Sequence, residues 1–523
     1  MRSYAGKLKN MNTQTQDMQR ELDELQTLTS KLLDVGVAIS SEIDLYSLLV
    51  RIIDEAKRLL HADRGTLYLV DHDKNELYFH VTDDRQIKEI RLPVNKKSIA
   101  GYVALTSKQL NINDVYTIPE SKPYFFNKNV DRKSGYRTQS MLTVPMVNHQ
   151  GDVTGAVQLI NKTLDGAVVP FSERDRHILM SLASQAAVAI ENAQLYKEVA
   201  DLFDAFVRYS ASAIDERDPA TAGHSRRVAM YATALAHAMG IFSNQEIKEL
   251  EYAAWLHDVG KIGVREHILI KENKLYPHQL AQVRERFEAI KLSLQKAALE
   301  EKIKLFEKAA SRDRMQALEE KCIAKIQQAH SDLEFILKID KPGFMNEEDM
   351  KRVDVIARRR YTDSAGIRQP WLTTQEKHAL KVRRGNLTET ERKIMNAHVE
   401  STYKILSQIP FTRRLKDVPH IAASHHEKLD GSGYPHRLLA DKIPVQARIL
   451  ALVDIYDALT AQDRPYKPAM PVDKALEILR FEVKDGHLDP AIFDVFLNNE
   501  IYKLEDPGAD APISFRLEQN NVI

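Results

Sequence analysis

A chain of 523 residues exceeds what one hydrophobic core organises and implies two or three domains. Its residues are 43% hydrophobic and 28% charged, and Lys+Arg balances Asp+Glu at 74 each, so no global field gathers nucleic acid or anionic lipid. No apolar run reaches the roughly 18–20 residues that cross a bilayer. A single cysteine, Cys322, excludes an internal disulfide, and residues 1–10 are basic with no apolar stretch behind them, so a cytoplasmic protein is expected.

In chain order, Met18, Leu22, Leu25 and Leu32 recur at helical spacing. Residues 1–30 therefore read as an N-terminal helix, either a coiled coil or a leader packed on its own domain. A helix is predicted over 45–60, then a hairpin with strands 65–71 and 76–82 about the turn His72-Asp73-Lys74-Asn75. A second hairpin, 140–148 and 153–161, turns at Gln150-Gly151-Asp152, and a helix starts near 173. Helix, hairpin, mixed middle, hairpin, helix resembles a GAF sensor domain, here over 31–195. Asn161, Lys162, Phe171 and Asp175 resemble the Asn-Lys-Phe-Asp-Glu signature of cyclic-nucleotide-binding GAF domains, with Arg176 in place of the Glu. The resemblance implies residues bracing a pocket for a small-molecule ligand such as a cyclic nucleotide. The alternative is a fold kept for dimerisation, with Asn161 and Asp175 as turn and cap residues.

From 176 to 212 the pattern is one uninterrupted helix without proline or glycine. It suits a connecting, signalling helix and a parallel homodimer along its length, or an ordinary connection. Residues 204–505 read as all-α and 506–523 as a C-terminal tail. Over 276–386 the chain is rich in Lys, Glu, Gln and Ala and predicts a long helical hairpin, followed by a polar region with Pro370-Trp371-Leu372.

The chemistry concentrates around His257-Asp258-Val259-Gly260-Lys261. An adjacent His and Asp offer a nitrogen and an oxygen ligand to one cation, at the end of an apolar helix. His398, the pair His425-His426 and Asp454 extend the set, while His224, near a helix start, by itself reads as a solvated cap. A lone carboxylate such as Asp454 in an apolar helix is costly unless paired or metal-bound. Four imidazoles and two carboxylates, five imidazoles with His224, exceed one tetrahedral site and suit two octahedral ones. The loop Asp430-Gly431-Ser432-Gly433-Tyr434-Pro435 supplies turn-forming glycines and a rigid proline beside an aromatic.

These elements in this order resemble the HD-GYP family of metal-dependent cyclic dinucleotide phosphodiesterases. The resemblance implies two divalent ions, one held by His224, His257, Asp258 and Asp454, the other by Asp258, His398, His425 and His426. Asp258 is then the bridge, and ligation without thiolate points to iron or manganese. Ala220 stands where some members carry a Glu for a third ion, so a dinuclear centre is expected. Such a pair activates water against a phosphodiester, with Asp258 and Lys261 as the catalytic residues and Lys261 neutralising a phosphate oxygen. Asp430, Gly431, Gly433, Tyr434 and Pro435 would shape the substrate entrance. Arg464 and Lys467 would contact phosphate, Arg464 equally a structural support.

By the same resemblance, 276–386 is an insertion that dimerises, caps the active site or binds a partner. The implied activity is hydrolysis of cyclic di-GMP to pGpG or GMP under GAF control. The alternatives are another cyclic dinucleotide such as cyclic GMP-AMP, or a catalytically weak receptor signalling through the insertion. Nucleic-acid binding lacks any basic stripe.

Overall fold

The computed structural model describes residues 45–83, 86–217, 223–461 and 469–506. The expected N-terminal helix and, beyond Asp506, the expected C-terminal tail lie outside them. The chain divides into two units, Met1–Phe203 and Asp204–Ile523.

In the first unit, helix α1 (Leu45–Leu60) buries Leu48, Ile52, Ala56 and Leu60, one residue per turn. It leads into β1 (Ala62–Asp71), β2 (Glu76–Asp83) and β3 (Gln86–Pro93). Helix α2 (Ile99–Thr106) and short β4 (Leu110–Ile112) and α3 (Lys128–Ser134) occupy the middle. Then follow β5 (Met141–Val147), β6 (Val153–Leu164), β7 (Ala167–Val169) and the long helix α4 (Glu173–Asp215), whose residues from Asp204 on belong to the second unit. The sheet runs β3-β2-β1-β6-β5-β4, with β7 pairing β6, and its pairs are antiparallel. β5 is buried from Met141 to Met146, as a strand covered on both faces must be. Leu142 and Val144 face a core shared with α1 and with Leu179, Leu182, Ala186 and Ile190 of α4. Tyr68, Ala156 and α2 residues Ala100 and Val103 fill the opposite face.

The second unit is helical apart from two two-stranded ribbons among the described residues. Helices α5 (His224–Met239) and α6 (Asn244–Leu256) pack together, followed by a 3₁₀ turn, Val259–Gly263, and short α7 (Glu266–Leu269). The expected hairpin is α8 (Pro277–Glu307) with α9 (Arg312–Ile339). The stretch after it departs from the sequence reading. It is no polar region but a folded one: β8 (Gly343–Phe344), α10 (Glu347–Arg358), β9 (Arg360–Thr362), β10 (Arg368–Pro370), α11 (Thr374–Leu380) and β11 (Arg384–Gly385). Trp371 and Leu372 are buried in a core with Phe287, Ile336, Val353 and Leu380, Trp371 edge-on to Phe287 at 5.5 Å. The polar residues are its outer surface. Where this stretch leaves and rejoins the bundle, Glu391 accepts from Lys271 Nζ at 2.8 Å and from the Tyr276 hydroxyl at 2.5 Å.

Beyond it run α12 (Glu389–Asn396), α13 (His398–Leu406), α14 (Val418–Ala423), α15 (Val445–Thr460), α16 (Val472–Lys484) and α17 (Pro490–Asn498). A capping box, Thr388 with Glu391, fixes the start of α12 and so the approach to His398.

Candidate metal centre

Helix α5 begins on His224. Asp215, at the end of α4, accepts from the Ser225 backbone N–H at 3.1 Å and its hydroxyl at 2.9 Å, which sets that start. Helix α6 is capped by Ser243 and Glu246 and runs through buried Tyr252–Leu256 to deliver His257 and Asp258. The turn behind them is pressed against α13. A Cβ on Gly260 would stand 1.9 Å from the His398 carbonyl oxygen. The Thr402 hydroxyl accepts from the Gly260 N–H at 3.0 Å and donates to the His257 carbonyl at 2.9 Å. Arg217 holds the outer side of the turn, donating to the carbonyls of Ile262 and Val264 at 2.6 and 3.0 Å.

All seven residues named from the sequence as ligands meet here. Asp258 Oδ2 lies 3.4 Å from His257 Nε2 and 2.8 Å from Lys261 Nζ, while its Oδ1 lies 3.3 Å from His398 Nε2. His224 Nε2 stands 3.1 Å from Asp454 Oδ1 and 3.2 Å from His257 Nε2. His426 Nδ1 is 4.0 Å from the other Asp454 oxygen. Three overlapping groups, His224/His257/Asp454, His257/Asp258/His425 and His398/His425/His426, keep their donor atoms within 4.8 Å of one another.

The rings are aimed by their far nitrogens. Nδ1 of His257, His398 and His425 bonds the carbonyl three residues earlier, on Ala254, Met395 and Ala422, at 2.7, 2.7 and 2.6 Å. As donors there, these nitrogens leave Nε2 a bare acceptor pointing inward, the arrangement that orients metal-binding imidazoles. Nε2 of His398 and of His425 is buried with no hydrogen-bond partner. Such atoms are rare because desolvation without compensation is unfavourable. The donor set therefore fits a cation.

Sequence reasoning missed the support behind the ligands. Asp457, buried, takes the outer nitrogen of His224 at 2.7 Å and is itself held by Arg227 at 2.6 and 3.0 Å. Its signal was present: a second carboxylate one turn beyond Asp454 on the same apolar helix. Asp457→Asn is expected to weaken metal binding about 10–100-fold, the usual effect of losing an outer-shell carboxylate. Titration of metal-free protein with Mn²⁺ measures it.

The charges divide the centre. Burial works against an imidazolium at His224, but the carboxylates of Asp454 and Asp457 override it and hold its pKa up at about 10. Burial pushes His426 down to about 4, and His398 and His425 also fall below the ordinary range, first through burial. Burial also opposes the Asp258 carboxylate, yet the Lys261 ammonium and His257 keep it ionised. Burial opposes an imidazolium at His257 too, yet Asp258 raises its pKa. Near neutral pH the metal-free centre thus carries a proton on His224, which a cation must displace, and His257 holds its proton more tightly than an ordinary imidazole. Metal affinity is expected to rise with pH up to about 10, and binding at pH 7.5 to release a proton. Calorimetry in buffers of different ionisation enthalpy reads this directly.

The loop predicted to shape the entrance folds back on the His pair. Glu427, buried, accepts from the His436 and Leu438 backbone N–H groups at 2.7 and 2.9 Å. Asp430 Oδ1 accepts from the Ser432 N–H and hydroxyl at 2.9 and 2.7 Å. Gly431 sits at φ +79°, and a Cβ on Gly433 would meet Lys428 N at 2.4 Å. Tyr434, just before Pro435, sets its ring 4.8 Å from that of His426. Arg464 and Lys467 lie outside the described residues.

In the first unit, the Asn161 amide accepts from the Gln139 N–H at 2.7 Å and donates to the Arg137 carbonyl at 2.8 Å. Lys162 pairs with Asp175 at 2.5 Å, and the Phe171 carbonyl accepts from Asn111 at 2.9 Å. These contacts tie the segment before β5, β6 and the start of α4 together.

Residues 44–190 match the GAF domain family, and 221–330 and 375–492 match HD domain families. The cGMP-specific 3',5'-cyclic phosphodiesterases of Drosophila mojavensis and Drosophila virilis are 34% and 33% identical to this chain over 191 residues. Each alignment spans 34% of this chain, and 16% and 20% of those proteins, so the chain covers a fifth of them or less. Among solved structures, the GAF domain of an Acinetobacter phosphoenolpyruvate-protein phosphotransferase is similar at 16% identity and TM-score 0.27, over 33% of this chain and 98% of that one. A Coxiella burnetii counterpart gives 18% and 0.28, over 33% and 96%. The fold is the expected one, an N-terminal α/β GAF domain followed by a helical C-terminal region with HD domains. No helix among the described residues is long and apolar enough to cross a membrane.

Proposed function

We propose that the C-terminal region is an HD-GYP phosphodiesterase that hydrolyses cyclic di-GMP to pGpG or GMP, and that the GAF domain regulates it. The observation that carries the reading is the pair of buried, unpartnered Nε2 atoms on His398 and His425. They converge with Asp258, whose two oxygens face different imidazoles. His224, His257, Asp258 and Asp454 would hold one divalent ion, and Asp258, His398, His425 and His426 a second, iron or manganese by their N/O chemistry. Bound there, the ions would supply an activated water and neutralise phosphoryl charge.

The chain's own residues do the rest. Lys261, 2.8 Å from Asp258, sets a fixed positive charge beside the phosphate position. Glu427 and Gly433 hold the loop so that Tyr434 walls the centre. Regulation rests on α4, whose first half packs the GAF core and whose last residue, Asp215, bonds Ser225 next to His224. A shift of that helix is felt one residue from a ligand.

The relatives' names favour a second reading, a 3',5'-cyclic mononucleotide such as cyclic GMP as substrate or as GAF ligand. Turnover by the Mn²⁺- or Fe²⁺-loaded full chain on cyclic di-GMP, cyclic GMP-AMP and cyclic GMP separates them. Linear pGpG from cyclic di-GMP is the expected product. Hydrolysis of cyclic GMP alone would replace the substrate, and binding without turnover by metal-loaded protein would make the chain a receptor.

A further inference from the structure

The loop after His425-His426 is fixed at two places. Its far end is held from within, by Glu427 on the His436 and Leu438 N–H groups. Its near end, 428–432, rests on a distant piece of chain, the joint between α16 and α17. The Leu429 N–H donates to the His487 carbonyl at 3.2 Å. The His487 side chain lies between two carboxylates: Nδ1 is 2.6 Å from Glu482 Oε2, on α16, and Nε2 is 3.6 Å from Asp430 Oδ2, on the loop. Lys428 Nζ completes the group, 3.7 Å from Glu482 Oε2.

The joint is a firm base. Gly486, at φ +75°, turns the chain out of α16, and the His487 N–H donates to the Glu482 carbonyl at 2.9 Å. Leu488 is buried beside it. Asp489 caps α17 and accepts from Arg448 at 3.0 Å, and Arg448 lies on α15, the helix of Asp454. On the loop side, Asp430 gives Oδ1 to the Ser432 N–H and hydroxyl and turns Oδ2 toward His487. One carboxylate thus joins the turn to the joint. All four side chains are partly exposed, and such ion pairs stabilise a fold little. What they can do is keep a loop in one position, which lowers the ordering cost when a ligand binds against it.

We propose that His487 is a positioning residue for the substrate entrance: it holds 428–432 against the α16–α17 joint and so sets KM for a substrate large enough to touch the loop. The inference rests on the reading of the centre as a cyclic dinucleotide phosphodiesterase, and the first measurement below does not.

In the Mn²⁺-loaded full chain, His487→Ala is expected to speed amide hydrogen exchange over 428–432 about tenfold, with metal content unchanged. KM for cyclic di-GMP should rise about tenfold with kcat within about twofold. Turnover of bis(4-nitrophenyl) phosphate, too small to reach from the ions to the outer loop, should not change. His487→Leu keeps the volume, loses both nitrogens and should behave like His487→Ala. His487→Gln keeps a donor and should recover part of the protection. Exchange unchanged in His487→Ala, or protection restored by His487→Leu, overturns the proposal. So does an equal fall in kcat on both substrates, which would place the effect of His487 at the ions or in the fold. A parent chain that cleaves bis(4-nitrophenyl) phosphate but leaves cyclic di-GMP intact would remove the proposed substrate, and exchange alone would then decide whether His487 holds the loop.

Discussion

Asp258→Asn is expected to empty both proposed ion positions and to lower the proposed phosphodiesterase turnover at least about 10³-fold, some 4 kcal/mol of barrier, while the chain stays folded. On the proposed arrangement Asp258 is the one residue that serves both ions. Its Oδ2 faces His257 and its Oδ1 faces His398. Asparagine keeps the shape but carries no charge, and its NH₂ can serve no metal. Turned toward His398, that NH₂ would give the buried Nε2 the hydrogen bond it lacks. The hydrogen bond to His398 offsets part of the ion pair with Lys261 that the variant loses, so the metal-free variant should still fold, and melting it beside metal-free parent protein separates lost function from lost fold. Elemental analysis and turnover on the same preparation decide it. Two ions per chain with turnover within tenfold of the parent would refute the bridging role.

What the sequence alone makes legible depends on where each signal resides. Elements set by local periodicity could be read directly: the one-per-turn burial in α1 and the strands of both hairpins. Among the proposed ligands, Asp454 and the His425-His426 pair are locally anomalous, a carboxylate inside an apolar helix and imidazoles doubled at a helix end, whereas His224 and His398 stand out only through the family resemblance. Their supports carry no such mark. Arg227 and Asp457 meet across 230 residues, and Thr402 looks like any helix threonine until Gly260 is packed on it. The second core behaved likewise. Its aromatic pair, Phe287 and Trp371, joins a charged helix to a stretch of polar composition, and only tertiary folding puts them in contact. Composition reports the surface of so small a core more loudly than its interior.

Gly260→Ala tests the weld between the His257-Asp258 turn and α13, and a severe loss is expected. The added Cβ would stand 1.9 Å from the His398 carbonyl oxygen and 2.5 Å from the Thr402 nitrogen. Both are backbone atoms, so no side-chain rotation relieves the clash. The turn and the helix must separate by about 1.5 Å to restore ordinary contact, which breaks the Gly260–Thr402 hydrogen bond and carries His398 away from Asp258. Overpacking of this kind costs about 1–3 kcal/mol where neighbours yield, and rigid backbone on both sides places this case at or above the upper end. Gly263→Ala, three residues on in the same turn, is the control. There the nearest neighbour is a serine side chain at 3.5 Å and the effect should be near neutral. Thermal melting of the C-terminal transition should fall steeply for the first variant and hardly for the second, and metal content should fall with it. Equal melting of the two would mean that the turn does not rest on α13, and the placement of His398 against Asp258 would lose its structural cause.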